Sequence, residues 1–197
     1  MTDSNPLYQH TVSIHPNMLS RFSRLFQQGV LVQATVGCSV HAFLCHQIGI
    51  RPEYLENRIQ TIFLDGKAID APEQSVIANG SMLALSAAMP GLVGATFRKG
   101  GKYATFRAGI TDTSSKIGMH EETGCVTVRL FNFMAAEIGP LFLKRGIIVT
   151  GKDILNAISD LESTENAFRI NGRPASSKSP VGTLNPHDNI LLILSPE

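Results

Sequence analysis

The 197-residue chain has no tryptophan, three tyrosines and three cysteines. Cys38, Cys45 and Cys125 are too sparse, and odd in number, for a disulfide framework, so a reducing compartment is expected and the chain is assigned to the cytoplasm. Charge is also scarce: 17 basic and 16 acidic side chains leave +1, and charged residues make up 17%, below the roughly 25% of ordinary soluble domains. That balance excludes a disordered polyelectrolyte and offers no global attraction to nucleic acid or an acidic membrane. No stretch approaches the ~20 apolar residues needed to span a bilayer. The opening Met1-Thr2-Asp3-Ser4-Asn5-Pro6 is too polar and acidic for a secretory signal. Catalytic patterns are missing as well. There is no Gly-x-Ser-x-Gly elbow. His10, His15, His120 and His187 stand apart from any carboxylate at a meaningful spacing, and His187-Asp188 reads as a turn before a strand.

What the chain does contain is an internal repeat, the first thing to look for in an unfamiliar sequence. Leu25-Phe26-Gln27-Gln28-Gly29 followed by Val30-Leu31-Val32 matches Leu141-Phe142-Leu143-Lys144-Arg145-Gly146 followed by Ile147-Ile148-Val149. Ile62-Phe63-Leu64-Asp65-Gly66-Lys67 answers Phe168-Arg169-Ile170-Asn171-Gly172-Arg173, and Asn79 to Leu85 answers His187 to Ile193. The three matches keep the same order. In each copy the glycine-bounded turn between apolar runs predicts a β-hairpin. A helix should follow. Ser39 is an N-cap for Val40, Phe43, Leu44 and Ile48, with Gly49 at the end. In the second copy Thr150-Gly151-Lys152-Asp153 opens onto Ile154, Leu155, Ile158 and Leu161 at helical spacing.

The predicted order β-β-α-β-β is that of a β-grasp, a sheet curled around a single helix. The fold class expected is therefore α+β: two tandem β-grasp, ubiquitin-like units at 1–91 and 125–197, joined by a basic hairpin and linker at 92–124. Such copies lie near the lower size limit for an independent core. The alternative reading is one larger α+β domain containing generic strand-turn-helix patterns.

The strand, Asp/Asn-Gly turn and following base, with a later apolar strand, resemble the sulfur-carrier β-grasp family, which includes the small subunit of molybdopterin synthase and the thiamine-pathway sulfur carrier. The resemblance covers Ile62 to Met89 and, more clearly, Phe168 to Leu194, with Pro186-His187-Asp188-Asn189 in place of the family's turn before the last strand. These are scaffold features and imply fold before activity. The family's chemistry needs a C-terminal Gly-Gly, whereas this chain ends Ser195-Pro196-Glu197. Gly100-Gly101 would serve only after proteolysis.

Residues 92–124 carry five bases against three acids. Ala95 to Arg107 is nearly mirrored about Gly100-Gly101, which predicts a two-residue hairpin with Arg98, Lys99, Lys102 and Arg107 as an anion- or partner-binding set. The same letters also describe a β-arm that packs its apolar face and keeps its bases solvated, or that makes dimer contacts. Met89-Pro90-Gly91-Leu92 is the expected partner-contacting segment. Cys38, His41 and Cys45 have metal-ligand identities, but an N-cap at Ser39 puts Cys38 outside the helix and no fourth ligand follows from the spacing, so no metal is expected. Gly146 to Asp153 imitates a phosphate-binding loop, yet lacks the hydroxyl after Lys152 and reads as a strand. The sequence therefore predicts a protein-binding or assembly module without catalysis or cofactor, with homodimerisation as a further use of the arm. A processed sulfur carrier, or an anion or nucleic-acid binder acting through the hairpin, is the alternative.

Overall fold

The computed structural model describes residues 7–87, 120–159, 168–175 and 184–195. In chain order its elements are β1 (His10–Ile14), α1 (Leu19–Gln28), β2 (Val30–Val36), α2 (Val40–Ala42) running into a π-turn (Phe43–Gln47), α3 (Pro52–Asn57), β3 (Thr61–Leu64), β4 (Lys67–Ala68) and β5 (Met82–Ser86). They continue as β6 (Glu122–Leu130), α4 (Met134–Glu137), α5 (Gly139–Arg145), β7 (Ile147–Thr150), α6 (Gly151–Ile158), β8 (Phe168–Ile170), β9 (Arg173–Ala175) and β10 (Asn189–Leu194). Mixed α and β structure agrees with the class expected. Among the described residues no helix is long and apolar enough to cross a membrane.

Several local signals act as expected. Ser39 Oγ accepts the Ala42 N–H at 3.1 Å, and α6 starts where its apolar spacing predicts, closed by a Thr150–Asp153 capping box not anticipated from sequence. Asp65-Gly66 and Asn171-Gly172 have φ of 50° and 80°, and 50° and 77°, the left-handed pair that a tight two-residue hairpin needs. One signal meant something else. Leu25-Phe26 and Leu141-Phe142 lie in the closing turns of helices α1 and α5, and no hairpin precedes β2 or β7. Phe22, Leu25 and Phe26 are buried at helical spacing. Gly29 and Gly146, at φ 112° and 102°, are the helix ends, their N–H groups donating to Leu25 and Phe142 oxygens at 2.9 Å. Glycine serves a helix end and a hairpin turn for the same steric reason.

The ten strands of the described residues form one sheet, ordered β4-β3-β5-β6-β2-β7-β10-β1-β8-β9. Its two halves run through the same directions from edge to centre. In β4-β3-β5-β6-β2 the successive pairs are antiparallel, antiparallel, parallel and antiparallel, and β9-β8-β1-β10-β7 repeats that series. A single residue pair, Leu31 with Ile148, joins the halves. The halves also exchange strands. β6 sits between β5 and β2, and β1 between β10 and β8. Residues 1–91 and 125–197 thus each have a strand in the other's half, and β6 starts at Glu122, within the stretch expected as linker. The sequence-matched β5 and β10 occupy different slots: β5 lies beside β3, β10 beside β7.

Alternation along the strands decides what is buried. Val30, Val32, Ala34 and Val36 of β2 and Val126, Val128 and Leu130 of β6 are buried, and they merge with Phe22, Phe43, Phe142 and Ile154 of the helical segments into one hydrophobic cluster spanning both halves. The intervening Gln33 and Thr123 are exposed, and Leu31, Thr35, Cys125 and Thr127 are half-buried.

A polar clasp also ties the halves of the chain together. The Tyr54 hydroxyl (α3) donates to Glu137 Oε2 (α4), and Arg58 grips both oxygens of the same carboxylate. Hydrogen bonds from Arg58 and then Tyr54 hold the Glu137 carboxyl below its ordinary value of 4.5. The folded state therefore binds this proton less readily than the unfolded chain does. The clasp's contribution is present above about pH 4.5 and is lost as pH falls through the depressed folded value. Urea midpoints measured from about pH 6 down to about pH 3, across the carboxylate range, are expected to fall less steeply for Glu137→Gln than for the wild type. Parallel curves would mean that the clasp does not contribute.

Candidate functional site

Beyond Leu31, β2 and β7 do not pair, because each strand is entered directly from a helix, at Gly29 and at Gly146. The backbone of β2 then needs other partners on that side. Gln47 supplies them at Thr35: its side-chain oxygen accepts the Thr35 N–H at 2.9 Å and its amide donates to the Thr35 oxygen at 2.8 Å. It thereby makes the two bonds a neighbouring strand would make. The π-turn allows this, with the Ile48 N–H reaching the Phe43 oxygen at 3.1 Å and Gln47 closing the wide turn. Such turns recur at functional sites.

Arg145 completes the wall. It is the last residue of α5, where a cation complements the helix dipole. Its guanidinium donates to Gln33 O at 3.4 Å, Gln47 O at 3.3 Å and Gln47 Oε1 at 3.4 Å. Among the described residues no carboxylate lies within ion-pairing distance of it. The result is a cleft of about 480 Å³ with Gln33, Thr35, Thr123 and Arg145 as its polar rim and Ile148 and Leu191 as its apolar floor. It can hold an anionic group against the exposed Arg145 guanidinium while the floor takes an apolar portion.

The residues singled out from sequence fare differently. Arg98, Lys99, Lys102 and Arg107, the Gly100-Gly101 turn, and Met89-Pro90-Gly91-Leu92 lie outside the described residues. Cys38, His41 and Cys45 are not brought together as ligands. The Cys38 thiol donates to the Thr35 oxygen and accepts from the Gln47 amide, both at 3.3 Å, while His41 meets His46 edge-on at 5.9 Å. Among the described residues no three His, Cys, Asp or Glu side chains cluster for a metal. Burial first, then the Glu121 charge, raises the Cys38 pKa; burial, then Glu73 and Glu53, raises that of Cys45; burial alone raises that of Cys125. All three are disfavoured as thiolates, the reactive and metal-binding form.

His187-Asp188 lies in a turn, as expected, with the Asp188 N–H donating to the Asn185 oxygen at 3.0 Å. Asp188 has a second neighbour that its sequence context hides: its Oδ2 is 3.7 Å from His10 Nε2. On the other side of that ring, Asn171 Nδ2 is 3.0 Å from His10 Nδ1. Asn171 Oδ1 accepts the Thr11 N–H at 2.9 Å, which turns its amide toward the ring. This network assigns Nδ1 as the acceptor and leaves the Nε2 proton facing Asp188. His10 thus fastens β1 to the loops of the half it has joined.

Gln47 and Arg145 were missed from sequence. They are 98 residues apart, and a lone glutamine at a helix end or an arginine at a helix C-terminus has ordinary solvated explanations. The only available signal was the match of Arg145-Gly146 to Gln28-Gly29, which placed a base where the first copy has an amide. No protein-family model matches the chain, nor does any curated protein or solved structure, so the cleft stands on its geometry alone.

Proposed function

We propose that the chain is a non-catalytic binding module made of two β-grasp-like half-sheets, and that the cleft between them receives a carboxylate presented by a protein partner. The β-grasp reading is supported by the repeated series of strand directions and by a glycine-turned hairpin, β3-β4 or β8-β9, at each edge. The observation that carries the binding reading is Arg145, held in place by three acceptor contacts while its charge has no described counter-ion. A fixed guanidinium loses little freedom on engaging a carboxylate, and the resulting bond is charge-assisted. The apolar floor would then accommodate the side chain beside it.

The test is amide NMR titration of labelled protein with short peptides ending in a free carboxylate or in an amide. Free-acid peptides are expected to shift Gln33, Thr35, Gln47 and Gly146, and amidated peptides to leave them in place. Arg145→Gln should weaken the effect by roughly tenfold or more, since a hydrogen bond to a charged group is worth about 1.5–3 kcal/mol. Arg145→Lys keeps the charge and should retain part of the response, which separates lost binding from lost bracing. Equal responses to both peptide series would refute the proposal, as would turnover of a metabolite by the pure protein that Arg145→Gln abolishes.

A further inference from the structure

A second concavity, of about 540 Å³, lies between α1 and α6. From α1 it is lined by Arg21, Arg24, Leu25 and Gln28, and from α6 by Lys152, Asp153, Asn156 and Ala157. On each helix these positions fall three to four residues apart or adjacent to one that does, so they share a face. Arg21 bridges the two walls through its Nη1, 3.5 Å from the Ala157 oxygen. Leu25 and Ala157 leave an apolar base, and the rim is polar.

The charge of this groove is net positive, with three bases against one carboxylate. Arg21, Arg24 and Lys152 are exposed, and among the described residues none of them forms an ion pair. The one carboxylate, Asp153, is committed: its Oδ2 accepts the Thr150 N–H at 3.0 Å and the Thr150 hydroxyl at 2.7 Å. The first amides of α6 are occupied as well. Gly151 donates to the Asp188 oxygen at 2.8 Å and Lys152 to the Pro186 oxygen at 3.0 Å, while Asp153 donates to Thr150 Oγ1 at 3.3 Å. Recognition of an anion here would fall to the side chains, independently of the helix terminus.

We propose that this groove binds a compact polyphosphate group. Three cations converging on one small space from two walls match a ligand that concentrates several negative charges on neighbouring centres. Each phosphate carries up to about two charges and presents the oxygens that an arginine fork engages bidentately. An acidic peptide carries at most one charge per residue and spreads them along about 3.3 Å per residue of extended chain. The lining has no aromatic ring, so it offers nothing on which the bases of a single-stranded nucleic acid would stack. The volume is that of a small-molecule site. Gln28 and Asn156 add amide donors at the rim.

The test is calorimetric titration of the full chain with inorganic tripolyphosphate at low salt, with a nucleoside triphosphate as a second arm. Saturable one-to-one binding that weakens as salt rises is expected. Tighter binding of the nucleotide would identify a nucleotide as the source of the polyphosphate, and equal binding would identify the bare phosphate chain. Arg24→Gln and Lys152→Gln should each weaken binding about tenfold, and the triple variant with Arg21→Gln should abolish it. Arg24→Lys and Lys152→Arg should retain most of it. Thermal melts of the variants separate a lost site from a lost fold, and the charge-retaining pair carries the test if a neutral variant melts early. Absence of saturable binding, wild-type affinity in the triple variant, or tighter binding of duplex DNA or of a poly-glutamate peptide would each overturn the proposal. So would binding that persists in the triple variant and disappears in Arg145→Gln, which would move it to the other cleft.

Discussion

Gly151→Ala is expected to lower stability by about 3 kcal/mol, the upper part of the range for overpacking. A Cβ built there overlaps the Asn185 carbonyl oxygen and lies 3.0 Å from its carbon and 3.4 Å from Pro186 Cα. The obstacle is backbone, and that backbone is tied down. Asp188 and Pro186 oxygens accept the Gly151 and Lys152 N–H groups, and the Asn185 oxygen that would be struck accepts the Asp188 N–H. The loop cannot retreat without releasing bonds that hold the start of α6. Thr150→Ala, which removes one side-chain cap at the same helix end, should cost about 1 kcal/mol. Urea unfolding of both variants provides the comparison, read from the midpoint at unchanged slope. A Gly151→Ala loss no larger than that of Thr150→Ala would show that the loop gives way freely.

The second large effect is expected at Phe142. Its side chain is fully buried, and its ring lies 6.1 Å from that of Phe26 at an interplanar angle of 58°. Truncation to alanine should cost about 3–5 kcal/mol through lost burial and an unfilled cavity. Its position decides what that loss does. In the sheet the halves meet through one residue pair, so their cohesion comes from the helical layer, where α1 from the first half of the sequence packs on α4 and α5 from the second. Phe142→Ala should therefore lower protection of β5–β6 amides and of β10 amides together in hydrogen exchange. Protection lost in one half-sheet and kept in the other would mean that the halves fold as separate units. The exchanged strands argue for joint unfolding, since removing either half takes a strand from the other.

Some of this architecture is legible in individual residues. Ser39 caps the helix it was expected to cap, and α6 begins after Thr150, where the apolar spacing predicts a helix. Asp65-Gly66 and Asn171-Gly172 turn as read, because few residue pairs adopt two consecutive left-handed conformations at low cost. Gly29 and Gly146 were recognised as breaks but assigned to hairpins, since the same positive φ ends a helix. Phe22, Leu25 and Phe26 carry a helical signal in their spacing, while the dipeptide Leu25-Phe26 alone fits a strand equally well. Neither Gln47 nor Arg145 was legible, because each matters only through groups that folding brings beside it.

Short-range features were readable along the chain: the Ser39 cap, the start of α6 after Thr150, and the reversals at Asp65-Gly66 and Asn171-Gly172. These depend on steric and hydrogen-bonding preferences that act over a few residues. Which strands became neighbours, the crossing of β1 and β6 into opposite halves, and the completion of an unpaired length of β2 by Gln47 and Arg145 were set by long-range packing. Strand pairing uses backbone groups that are alike along every strand, so alternation selects a face and leaves the neighbour open. The neighbour is chosen when the whole apolar surface of the sheet is buried at once against its helices.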